Sequence, residues 1–238
     1  MTTAKKRWTW PEIWAFLGKK FDIADEDLID EDFAMDLFNN AIDDAEAIIQ
    51  AEFPEYFLTH QDPEAFEDGT DAIDCPENLY GNKIRKIILN NGSQAYECTR
   101  MTNLDKFLDY RLSRVQSDTT EDEDRVYFLA NESESGPRIL ISPPPVGTSW
   151  SYEIWYYRQS NRIEDDEDVC DIPEAMNYLW AHFGEQVEDK RRKGSVAHAT
   201  AITTKASEDE KLREIITTLM QDQDNPISAD LSFYKEMV

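Results

Sequence analysis

Apolar residues recur at helical spacing near both ends of this chain and at strand spacing through its middle. Between Asp30 and Glu52, Phe33, Leu37, Ala41, Ala45 and Ile48 fall on one helical face, with Asp30 as a natural cap and Pro54 as the stop. A shorter helix over Pro11–Leu17 is predicted ahead of it, capped by Thr9 and closed by Gly18, with proline tolerated in the first turn. From Tyr56 the period shortens. Ile84–Leu89 is rich in branched residues, Asn91-Gly92 signals a hairpin, and Ala95–Arg100 pairs back. "MTNLDKFLDYRLS" predicts a helical turn or two, with Leu104, Phe107 and Leu108 on one side. Strands resume at Arg125–Ala130, Arg138–Ser142 and Ser149–Gln159, separated by "NESESG" and "PPPVGT".

Helical spacing returns over Pro173–Lys193, where Met176, Leu179, Trp180, Phe183 and Val187 make an apolar stripe. "GSVAHATAITTKA" carries no clear period and is read as weakly structured. Ser207 then opens a last helix, with Glu210 completing a capping box and Leu212, Ile215, Ile216 and Leu219 on its inner face. The order predicts an α+β protein: a helical bundle built from N-terminal and C-terminal helices, with a central antiparallel β-rich, sandwich-like insertion. The expected divisions are 1–54 for the N-terminal helices and 55–168 for the β-rich domain with its short helix. Residues 169–222 form C-terminal helices packing on the N-terminal ones, and 223–238 form an extended tail.

Charge narrows the function classes. Against 24 Lys and Arg stand 50 Asp and Glu in 238 residues, a net charge of −26. Phosphate contacts come from Lys and Arg that release counterions, so an ordinary DNA-binding surface is not expected. With 40% hydrophobic and 11% aromatic residues the chain is nonetheless rich enough to build a core. No run approaches the roughly 18 apolar residues of a membrane span, and the start lacks a signal-peptide core, so a soluble, cytosolically made protein without membrane contact is expected. Cys75, Cys98 and Cys170 are odd in number and widely spaced, which points to inert thiols rather than disulfides or a zinc knuckle.

Candidate chemistry is thin. "FDIADEDLIDED" and "EDDEDVCD" are dense in carboxylates but lack the glycine of a calcium loop, so they read as solvated loops and helix starts. His182 and Glu185 lie three apart on a predicted helix, yet two ligands do not make a metal site. No nucleophile elbow or phosphate loop occurs. No catalytic residue, cofactor or metal is therefore expected. The more informative signal is apolar surplus. Trp8, Trp10 and Trp14 crowd the N-terminus, and Leu231, Phe233 and Tyr234 decorate the tail. In "SWSYEIWYYRQ", Trp150, Tyr152, Ile154 and Tyr156 alternate with Trp155 and Tyr157, which gives that strand a second aromatic face. These eight residues (Trp8, Trp10, Trp14, Trp155, Tyr157, Leu231, Phe233 and Tyr234) are the candidate subunit or partner contacts.

The ordered motifs add a resemblance. Gly69 and Pro76 precede Ile84, Ile87, Leu89 and Gly92. Leu140, Pro143 and Pro145 precede a strand ending in Tyr156-Tyr157, and a helix with Pro173, Leu179 and Phe183 follows. From about Phe33 to Met220 this succession resembles the head-to-tail adaptor (connector) family of tailed bacteriophages, of the tail tubular or adaptor type. The resemblance implies a virion structural protein without enzymatic activity. It implies a ring, usually a dodecamer, on the portal protein at one capsid vertex, with tail proteins of the nozzle or tail-tube kind docking below. Genome DNA would pass through without specific binding, and assembly would occur in the host cytoplasm. Acidic insertions at Asp118–Asp124 and Glu164–Asp168 and the tail beyond Gln221 depart from the family pattern. Two readings from other classes stand beside it: an acidic DNA-mimic inhibitor of a nucleic-acid enzyme, suggested by the charge, and a carboxylate-dependent hydrolase, suggested only by His182 near Glu185.

Overall fold

The computed structural model describes residues 6–23, 29–115, 124–132, 136–147 and 149–224. They form two units, one from Met1–Tyr56 with Ser160–Val238 and the other from Phe57–Gln159. The second unit is thus a single continuous stretch of chain, and the first is built from the segments before and after it.

In the first unit, α1 (Trp10–Phe21) starts at Thr9, whose backbone N–H donates to Glu12 in a capping box. It runs through Gly18 and stops where Asp22 turns left-handed at φ 55°. Gly18 is carried within a helix anchored by one buried face of Trp10, Ile13 and Leu17. α2 (Glu31–Glu52) is capped by Asp30, whose carboxylate accepts from the Phe33 N–H at 2.8 Å. After a 3₁₀ turn at Pro173–Ala175, α4 (Met176–Arg192) packs on α2, and α5 (Val196–Asp224) packs on both. Gly184 allows Phe21 to lie against α4: a Cβ there would stand 2.6 Å from Phe21 Cε1.

In the second unit, strands β1 (Leu58–His60), β2 (Glu64–Ala65), β3 (Ala72–Asp74), β4 (Leu79–Asn90), β5 (Ala95–Met101), β6 (Val126–Glu132), β7 (Gly136–Ser142) and β8 (Ser151–Arg158) share one curled sheet. Its order is β1-β8-β4-β5-β6-β7-β3, with β2 also on β8. Helix α3 (Leu104–Val115) connects β5 to β6, and this crossover lets those two strands run parallel while their neighbours are antiparallel. The core face gathers Ile84, Ile87, Leu89, Cys98, Tyr127, Ile139, Ile141, Tyr152, Ile154 and Tyr156.

The α+β class holds at this coarse level, and the finer architecture expected from sequence is corrected. A terminal helical bundle around an antiparallel, sandwich-like insertion is not what forms. The eight described strands make one mixed sheet, and α3 belongs with that sheet. The remaining helices do not close a bundle among themselves. Irregular chain completes their core with Ile163, Cys170 and Ile172, and Thr9 bridges Val169. Asn39 holds this segment in place by exchanging two hydrogen bonds with the Ile163 backbone, at 2.8 and 2.9 Å. Buried backbone polar groups need such partners wherever helix or ladder bonds are missing.

Candidate docking surfaces

The N-terminal tryptophans are bound into their own unit to different depths. Trp8 meets Phe16 and Trp180 edge-on, at 5.8 and 5.7 Å between ring centres, and its carbonyl accepts from the Cys170 N–H. Trp10 is 0% exposed, stacks on Trp14 at 6.2 Å and donates its indole N–H to Glu31 at 3.0 Å. Trp10 therefore has no surface to offer a partner in this conformation. Trp8 and Trp14 stay half-buried.

Beside Trp10 lies a shallow cleft with Met35, rimmed by Glu31, Asp32 and Glu164–Glu167. The second acidic run is folded rather than loose, because Asp168 Oδ2 accepts from the Glu164 and Asp165 N–H groups, and Asp165 Oδ1 accepts from those of Glu167 and Asp168. Among the described residues no three His, Cys, Asp or Glu side chains converge as a metal site would require. His182 turns from Glu185 to Asp44, with Nδ1 3.4 Å from the carboxylate, while Glu185 pairs with Lys205.

On the sheet, Tyr152, Ile154 and Tyr156 point into the core, and Trp155 and Tyr157 lie half-buried on the other face. Trp155 stacks on His60 at 5.0 Å, with Lys86 Nζ 5.4 Å from its ring centre. Trp150, expected on the same face as Tyr152, Ile154 and Tyr156, packs partly buried against their core and stacks on Arg125, whose guanidinium sits 4.4 Å from its ring and donates to the Pro143 carbonyl. That bond anchors the proline turn at its first residue. Leu231, Phe233 and Tyr234 lie outside the described residues.

One apolar surface was not singled out from the sequence. Helix α3 buries Phe107 against Phe128 but leaves Leu104, Leu108 and Leu112 exposed by 46%, 41% and 64%. Spacing of four places these leucines on one stripe. The sequence reading places Leu104, Phe107 and Leu108 on one side; the structure separates buried Phe107 from the exposed leucines.

The thiols are chemically quiet. Burial pushes Cys75 up to about 11 and Cys98 and Cys170 up to about 12, so all three hold their protons at neutral pH. No described helix is long and apolar enough to cross a membrane.

No curated protein matches the chain. The sequence profile of the SU10 adaptor protein family does, over residues 20–229, a span that enters both units and every strand described above. That coverage carries the assignment: the chain belongs to the SU10 adaptor protein family, a family of phage head-to-tail adaptors whose members are structural components of the virion.

Proposed function

We propose that this adaptor acts as a ring of identical copies, twelve by the family resemblance, seated on the portal protein at the capsid vertex. Tail proteins dock on its far side, and the genome passes through the centre. Family membership across both units is the observation that carries this reading. A ring needs heterologous contacts, in which one patch of a copy meets a different patch of the next, and rotation closes the series. The molecule has dissimilar patches of the required kind: the leucine stripe of α3, the half-buried Trp155 and Tyr157, and the partly exposed Trp8 and Trp14. Leu231, Phe233 and Tyr234, outside the described residues, are further candidates by sequence.

The charge of −26 suits a DNA passage, since a wall that repels phosphate does not hold the genome. Co-sedimentation of the purified chain with purified portal tests the docking step. The adaptor is expected to move with the portal in a fixed ratio; free sedimentation of the two at micromolar concentration would count against it.

A further inference from the structure

We propose that Asp44, His182, Glu185 and Lys205 form a pH-sensitive clasp fastening the first half of α5 to α2 and α4. Helix α5 has 29 residues, yet its fully buried apolar residues, Leu212 and Ile216, both lie in its second half. The first half is tied by polar groups. Lys205 Nζ stands 3.3 Å from both Asp44 Oδ2 on α2 and Glu185 Oε2 on α4. His182, 8% exposed, faces the same Asp44 oxygen at 3.4 Å, and its Nδ1 makes no hydrogen bond. Tyr178 packs beside the imidazole at 5.8 Å, with Asp209 and Arg213 of α5 acting on that tyrosine. Further along, His198 Nδ1 accepts from the Gly194 N–H, and its Nε2 lies 3.5 Å from Asp189.

Asp44 is thus shared between a permanent cation and an imidazole that is neutral in the closed clasp. Protonating His182, itself buried, puts a second cation on the Asp44 oxygen that Lys205 already holds. Burial and then Lys205 hold the imidazole below its ordinary value of 6.5, while Asp44 and Glu185 oppose them. A depressed histidine contributes stability that is present above the ordinary value and is lost as pH falls through the folded one. The clasp is closed at pH 7 and loosens towards pH 5.

Two measurements on the full chain decide this. Imidazole proton shifts followed by NMR should place the His182 midpoint below 6.5. Lys205→Met should raise it and Asp44→Asn should lower it, opposite responses that a merely structural role would not produce. Amide exchange over 196–211 should speed up about tenfold relative to 212–221 between pH 7 and pH 5, after correction for the intrinsic pH dependence. His182→Gln should abolish that difference while leaving His198 in place. A wild-type His182 midpoint at or above 6.5, or a pH response that survives in His182→Gln, overturns the proposal.

Discussion

Glu46 carries the plainest electrostatic cost in the helical unit. It is 6% exposed, accepts from Ser160 Oγ at 2.7 Å through one oxygen and leaves the other without a partner. Burial, with Asp43 and Asp171 adding to it, raises its carboxyl above the ordinary 4.5. The folded chain therefore holds this proton more tightly than the unfolded chain does. The associated stability is fully present below pH 4.5 and is lost as pH rises through the folded value. Glu46→Gln keeps an acceptor for Ser160 and removes the charge. It should stabilise the chain by about 1 kcal/mol at pH 8, with the gain vanishing near pH 4. Urea unfolding at the two pH values checks this, and an equal effect at both would refute the assignment to ionisation. Trp10 offers the complementary case. Its ring is enclosed and its N–H is paired, so Trp10→Ala should cost about 3–5 kcal/mol in the same assay.

Helix α3 separates packing from display on one element. Phe107→Ala should cost about 3–5 kcal/mol, because the ring is fully buried against Phe128, whereas Leu112→Ala should stay within about 0.5 kcal/mol. If the exposed stripe serves assembly, Leu112→Ala should still weaken portal co-sedimentation. Elements whose signals are local were legible in the sequence. Asp30 caps α2 where the pattern starts, and the turn at Asn91-Gly92 joins β4 to β5, with Asn91 Oδ1 accepting from Ser93 and Gln94. Elements that depend on distant partners were not. The first half of α5 lacks an apolar period, and it is helical with Thr200, Thr203 and Thr204 donating to carbonyls four residues back and Lys205 reaching α2 and α4. The parallel β5–β6 pair was missed because strand residues alone do not reveal direction; the crossover through α3 sets it. Of the candidate contacts, the alternation that sets Trp155 apart from Tyr156 could be read directly. The enclosure of Trp10 could not, since it needs Phe38 and Glu31 from α2.

At the scale of the whole molecule, charge and surface act together. A chain at −26 repels its own copies as well as DNA, so the isolated adaptor should stay dispersed at low salt, where repulsion is least screened. It should also fail to shift duplex DNA on a native gel at about 0.1 M salt, since the net negative charge repels the phosphates. Association then depends on a partner that supplies the missing surface. The most direct measurement is single-particle imaging of the purified chain mixed with its portal. A closed ring of adaptor copies on one end of the portal, coaxial with its channel, and twelve copies by mass are expected. Portals that remain bare, beside adaptor chains that stay monomeric at saturating concentration, would contradict it.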